Sequence, residues 1–165
     1  MINLLQSAKR VDVRLIDARG PRFGAVLTTA VLVALFISES LPLALWQLGV
    51  FAIGAFIGPQ ATPYAWIYRT LVKERLRDEV PTEDSRPPRF AQAVGFLFAL
   101  TATMALLIDS FYFFHVAVGF ALVAAFLNAA FDFCLGCEMY LFFMRVRRAL
   151  SRRKNHEDWY NLPNL

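Results

Sequence analysis

The chain has 165 residues, 58% of them apolar and 15% aromatic, with a mean hydropathy of +0.47. That is too apolar for a soluble domain of this length and places the chain in the membrane class, with room for one membrane domain over residues 1–165. Its net charge of +4 comes from cations that flank apolar segments rather than from a basic patch on a soluble module. This excludes a nucleic-acid partner and points to the lipid bilayer and its anionic headgroups.

The first 22 residues are charged throughout and lack a continuous apolar core before a small-residue cleavage site, so no cleavable signal peptide is expected. Four apolar stretches follow, at about 23–37, 41–57, 90–108 and 111–131. A span needs about 17 to 25 residues, so the first must borrow Pro21 and Arg22. Tight links at Glu39–Ser40 and Asp109–Ser110 join the stretches into two helical hairpins. All 17 Lys and Arg lie in three places: before the first stretch (Lys9 to Arg22), in the middle loop (Arg69 to Arg89) and after the last stretch (Arg145 to Lys154). The hairpin tips have none. The positive-inside rule then places both termini and the middle loop of this multi-pass protein in the cytoplasm.

An internal repeat organises these stretches. DARGPRF (17–23) and DSRPPRF (84–90) agree at five of seven positions, and each precedes a predicted span. AFIG (55–58) matches AFLN (125–128) in the second half of each unit. Two duplicated hairpins, 17–78 and 84–150, are therefore predicted, with 151–165 as a basic cytoplasmic tail. The shared PRF element suits a helix that starts at the membrane surface. Proline fits the first turn, Asp17 and Asp84 suit its positive end, and Arg22 and Arg89 reach headgroups while Phe23 and Phe90 enter lipid. Ion pairs of these arginines with Asp17, Asp84 or a partner subunit are the other reading.

After the second stretch, Gly58 and Pro59 break the helix and TPYAWIYRTLVKERLRDE resumes it. Tyr64, Ile67, Tyr68, Leu71, Val72 and Leu76 fall on one face, with Arg69, Lys73 and Arg77 on another. This is the pattern of an amphipathic helix that lies at the cytoplasmic interface or folds against the bundle, with Trp66 as an anchoring aromatic. Residues 79–89 form a polar linker. Trp46 and His115 read as interfacial residues of the outer side.

FDFCLGCEMYLFFMRVRR (131–148) holds both cysteines, Cys134 and Cys137. The offset between AFIG and AFLN sets Cys134 opposite Tyr64, Cys137 opposite Ile67 and Glu138 opposite Tyr68, which turns all three toward the bundle on the cytoplasmic side. If the chain breaks near Asn128 as it does near Gly58, Asp132 caps the next helix and Cys134 sits in its first turn. The positive helix end there favours a thiolate, whereas Glu138 opposes it by repulsion or accepts a proton. Three readings stand. Both cysteines are small buried groups beside a close-packing Gly136; or they form a thiol–disulfide or sulfur-transfer site bracketed by Asp132 and Glu138; or they bind a metal shared across subunits. The last needs a second chain because His115 and His156 lie far away in sequence and zinc wants four ligands. No P-loop, dinucleotide-binding, HExxH or Ser/His/Asp signature is present, and no cofactor is expected.

With DARGPRF, DSRPPRF, PYAWIYR and CLGCE in view, the chain resembles a family of small bacterial four-helix membrane proteins of unknown function. The resemblance implies thiol or sulfur chemistry by association, through a thioredoxin-like or sulfurtransferase partner, and no catalytic assignment to inherit. Quinone-linked disulfide-forming enzymes are also four-helix bundles with a CxxC. Their pair works at the outward face and is normally served by a second pair, which this chain lacks. The fold expected is thus an all-α integral membrane four-helix bundle of two duplicated hairpins with interfacial helices on the cytoplasmic side. The function expected is a membrane-embedded dithiol, and the alternative is a non-catalytic subunit of a homo-oligomer or larger membrane complex.

Overall fold

The computed structural model describes residues 15–17, 19–72 and 82–160. Lys9, Arg10, Arg14, Lys73, Leu76, Arg77, the first part of the linker and residues 161–165 lie outside them. Apart from one short ribbon, the described chain is helical. Strand β1 (Leu15–Asp17) precedes α1 (Arg19–Ser38). Helix α1 begins where Asp17 Oδ1 accepts a hydrogen bond from the Arg19 backbone N–H at 3.0 Å, so the PRF element lies inside its first turns. It ends at Glu39, whose left-handed φ of 48° turns the chain within two residues into α2 (Leu41–Ala52).

Helix α2 continues through a π-helical turn (Ile53–Ile57) and stops at Gly58, whose φ of 141° and ψ of 155° only glycine adopts without strain. A 3-10 turn (Pro59–Ala61) leads to α3 (Pro63–Ile67), which runs into a second π-helical turn (Tyr68–Val72). Strand β2 (Thr82–Asp84) precedes α4 (Arg86–Leu107), Asp84 Oδ1 accepts from the Arg86 N–H at 3.0 Å, and Asp109 takes a φ of 52° before α5 (Phe111–Phe131). Last comes α6 (Leu135–Tyr160).

Three of these helices, α1, α4 and α5, with 20, 22 and 21 residues, are long and apolar enough to cross a membrane. The fourth stretch, Leu41–Ile57, is shorter. Only 22% of each of the three spans is buried in the fold, and their outward faces carry Val33, Leu97, Phe120 and Phe126. Water does not tolerate an apolar surface of that extent, whereas lipid does.

The helices pair across the halves: α1 packs chiefly on α5 and α2 on α4, with α4 against α5 in the middle and little contact between α1 and α2. The dry core lies toward the hairpin tips and joins Leu32 and Leu35 of α1, Ala44 of α2, Ala102 and Ala105 of α4, and Phe114, Ala117, Val118 and Ala121 of α5. Five of these nine are alanines, which let the backbones approach closely. At the opposite end β1 and β2 pair antiparallel, Leu15 with Asp84, Ile16 with Glu83 and Asp17 with Thr82. The ladder centres on the residues that immediately precede the two D-x-R motifs. Sequence did not foretell this ribbon, because three-residue strands carry no periodic signal.

The arginines of the two PRF elements find partners in the opposite half. Arg89 donates through Nε to the carbonyl of Ala55 and through Nη2 to that of Phe56, both at 2.7 Å. Arg22 Nε donates to the carbonyl of Ala129 at 3.4 Å. Each thus sits at the C-terminal end of a helix, where carbonyls lack intrahelical donors. Neither pairs with Asp17 or Asp84 among the described residues.

Helix α3 folds back beside α1. Tyr64 donates its hydroxyl to Oε1 of Gln47 (3.0 Å) and accepts from the Trp46 indole (3.2 Å); Gln47 is 0% exposed. Trp46 is therefore more than an outer anchor. Tyr68 donates to Asp17 Oδ2 at 3.0 Å and stacks at a tilt on Phe23, centroids 5.6 Å apart. Tyr64 and Tyr68 are buried as the apolar face predicts, but Leu71 is 60% exposed, because the π-helical turn rotates it away from the face that an α-helix would present.

Arg89→Ala removes two hydrogen bonds from a charged donor that is partly solvated, and is expected to lower unfolding free energy by about 1–2 kcal/mol; Arg22→Ala, with one longer bond, costs less. Thermal unfolding in nanodiscs checks both. Burial, then the Asp17 hydrogen bond and charge, raise the Tyr68 hydroxyl above its ordinary value of 10.0. The folded chain holds this proton more tightly than the unfolded one, so the stabilisation is complete below about pH 10 and is lost as pH rises through the raised value. Unfolding measured from about pH 8 to about pH 11 should show that loss in the native chain and a flatter profile in Tyr68→Phe.

Candidate functional site

Helix α5 ends at Asp132, which adopts the left-handed conformation (φ 57°, ψ 25°). The next N–H, of Phe133, returns to the carbonyl of Leu127 at 3.3 Å. This closes the helix in the manner usual for a C-terminal residue with positive φ, a conformation that Asp tolerates better than most. Asp132 therefore terminates α5 instead of capping α6. Cys134 takes the cap itself: its carbonyl accepts from the Glu138 N–H at 3.0 Å and its Sγ from the Cys137 N–H at 3.3 Å.

The same arrangement opens α3, where Thr62 Oγ1 accepts from the Ala65 N–H at 3.2 Å. Six residues beyond each cap stands a tyrosine against the phenylalanine of a PRF element: Tyr68 on Phe23 at 5.6 Å and Tyr140 on Phe90 at 5.8 Å. Cys134 thus occupies the place of Thr62, two residues from the register that AFIG and AFLN suggested. Cys137 takes the place of Ala65 and Glu138 that of Trp66, which is 62% exposed. Glu138 accordingly faces outward, as does Asp132, and neither makes a side-chain hydrogen bond or ion pair among the described residues.

The cysteines are half-buried and lie at disulfide distance, with Cα atoms 5.2 Å apart, well inside the range a disulfide spans. Gly136 between them rests on α4: a Cβ there would lie 2.6 Å from both Cα and Cβ of Ala91. Phe143 adds a second ring against Phe90, centroids 6.4 Å apart. The pair is thus carried by the first turn of α6 and pressed onto the start of α4, at the same end of the bundle as the ribbon and the two arginines. Among the described residues, no group of three or more His, Cys, Asp or Glu side chains is placed to hold a metal ion. His115 lies at the tips, between Phe36, Phe111 and Phe114, with Nε2 3.8 Å from Glu39 Oε1.

A family model described as a domain of unknown function (DUF4395) matches residues 16–145. The chain belongs to the DUF4395 family. The DUF4395 match takes in the ribbon, both hairpins and the cysteine pair, and ends within α6. No curated protein and no solved structure matches this DUF4395 chain.

Sequence pointed to Cys134 and Cys137 and missed the hydrogen-bonded chain of Trp46, Tyr64 and Gln47, in which Tyr64 and Gln47 are buried. The signal for it was a glutamine inside an otherwise apolar stretch. Gly136→Ala is expected to displace α6 from α4, costing about 1–3 kcal/mol and speeding reduction of the pair by dithiothreitol. Gly119→Ala, where a Cβ meets nothing within 4 Å, is the control and should change neither unfolding nor reduction rate.

Proposed function

We propose that this chain is a multi-pass protein of the bacterial inner membrane whose Cys134–Cys137 pair cycles between dithiol and disulfide with a cytoplasmic thioredoxin-like or sulfurtransferase partner. The observation that carries the reading is the pair itself: two half-buried sulfurs at bonding distance, one of them capping a helix start. In the reduced state the positive end of α6 favours a thiolate on Cys134. That thiolate attacks the partner's disulfide and releases one partner thiolate, forming a mixed disulfide. Cys137 then attacks the Cys134 sulfur, releasing the second partner thiolate and closing the Cys134–Cys137 disulfide. Two electrons pass to the partner, and the two protons of the dithiol go with them or to water. Asp132 and Glu138, exposed on either side, are the candidate proton acceptors.

The membrane frame of this reading has four spanning helices in two duplicated hairpins, with Leu41–Ile57 as the short fourth span and both termini cytoplasmic. Supporting the duplication are the equivalent Asp–N–H bonds at Arg19 and Arg86, the ribbon centred on equivalent residues, and the crossed bonds of Arg22 and Arg89. Supporting the orientation is the gathering of the described arginines at the ribbon end, with Glu39 and Asp109 at the tips. Arg22, Phe23, Arg89, Phe90 and Trp66 anchor that end at the headgroups, where α6 begins and from which α3 folds back beside α1. A second reading, a non-catalytic subunit of a larger complex, draws on the exposed rings of Phe142 and Phe143 on α6.

Acid-quenched maleimide labelling in cells should find a reversible Cys134–Cys137 disulfide or persulfide. Cys137→Ser should trap the partner as a mixed disulfide, and Cys134→Ser should trap nothing while inserting normally. Permanently reduced thiols, with a co-purifying complex that survives both substitutions, would favour the subunit reading instead. A reporter inserted within residues 73–81 should read cytoplasmic.

A further inference from the structure

A cavity of about 490 Å³ opens between α1, the chain from Pro59 to Arg69 and the start of α4. That is the size of a small-molecule site, and nothing in the thiol reading uses it. Its α1 wall is made by Gly20 and Gly24; a Cβ at Gly24 would meet nothing within 4 Å. The deeper lining, Thr28 and Val50, is largely apolar.

Two glutamines from different elements, Gln60 and Gln92, line the same cavity, and each has a buried Oε1 with no hydrogen-bond partner among the described residues. Each occupies space that a glycine leaves open. A Cβ at Gly54 would lie 2.6 Å from Gln92 Oε1, and one at Gly58 would lie 2.7 Å from the Gln60 amide. Unpaired buried amides cost free energy unless a ligand or water satisfies them. A carboxamide both donates and accepts whichever way it is turned, and a hydroxyl answers either orientation.

Charge narrows the ligand further. Asp17 at the rim already accepts from the Tyr68 hydroxyl and the Arg19 N–H, so it makes no demand for a cation, and Arg69 at the opposite rim is exposed. We infer that the cavity binds a neutral amphiphile whose hydroxyl-bearing head pairs with Gln60 and Gln92 and whose apolar body extends past Gly24 toward Thr28 and Val50. In a bilayer the mouth lies at the ribbon end, where such a molecule sits with its head among the lipid headgroups. A glyceride lipid and a hydroquinone share this chemistry.

The test uses the full chain in nanodiscs, titrated separately with monoolein and with a decyl-tailed hydroquinone, and read by native mass spectrometry and by the ligand-induced rise in thermal midpoint. Saturable one-to-one binding of at least one probe is expected, weakened at least tenfold by Gly24→Leu, which fills the cavity, and by Gln92→Leu, which removes the polar contact. The probe that binds names the source, lipid or hydroquinone. Gly119→Ala should bind as the native chain does. Should Gly24→Leu fail to fold, Gln92→Leu decides alone. Failure of both probes to saturate, or binding undiminished in the folded variants, overturns the inference.

Discussion

The last carbonyls of a helix have no intrahelical donor, and another group must take them. Helix α2 ends this way at Gly58 and α5 at Asp132. Arg89 serves the first end with two bonds and Arg22 the second with one. Because each arginine stands at the start of α4 or α1, these bonds set which helices lie side by side: α4 beside α2, and α1 beside α5. The alanine-rich contact near the tips follows from that pairing, since only small side chains fit where both partner helices have been brought close. The ribbon then ties the two helix starts directly to each other.

Much of this was legible in the sequence. Uncharged runs bounded by charge and proline marked the helices, and Glu39 and Asp109 marked the turns, because local composition governs both. The arginine partners and the ribbon were not legible, since they join residues 33 to 107 positions apart or strands only three residues long. The register of the cysteines was misjudged by two residues for a traceable reason. AFIG belongs largely to the π-helical turn that closes α2, whereas AFLN lies within regular α5, which runs on to Phe131. Matching those tetrapeptides compares different depths of two unlike helix ends. The caps, Thr62 and Cys134, are the comparable points.

That correction changes the chemistry available to the pair. In the register of Tyr64 and Tyr68, the cysteines and Glu138 would have been packing residues of a buried face. At the cap, Cys134 replaces a threonine oxygen with a sulfur in a position whose electrostatics suit an anion, while Glu138 remains in contact with solvent. The start of α4 then serves two features at once: Ala91 supports Gly136, and its neighbour Gln92 lines the cavity on the other side. Adjacent residues of α4 thus face the cysteine-bearing turn of α6 and the cavity. Membership of the DUF4395 family transfers no activity to either, so both rest on the chemistry of the residues themselves.

The crossed arginines also constrain the order of assembly during synthesis. The chain emerges from its N-terminus, so α2 is complete before Arg89 has been made, and the carbonyls of Ala55 and Phe56 must wait more than thirty residues for their donor. Until then the first hairpin has neither its ribbon partner nor the α5 surface on which α1 rests. It therefore stands as an open half, with the last carbonyls of α2 lacking their donor. Only the synthesis of α4 supplies that donor, which makes it the event that completes the first half as well as the second.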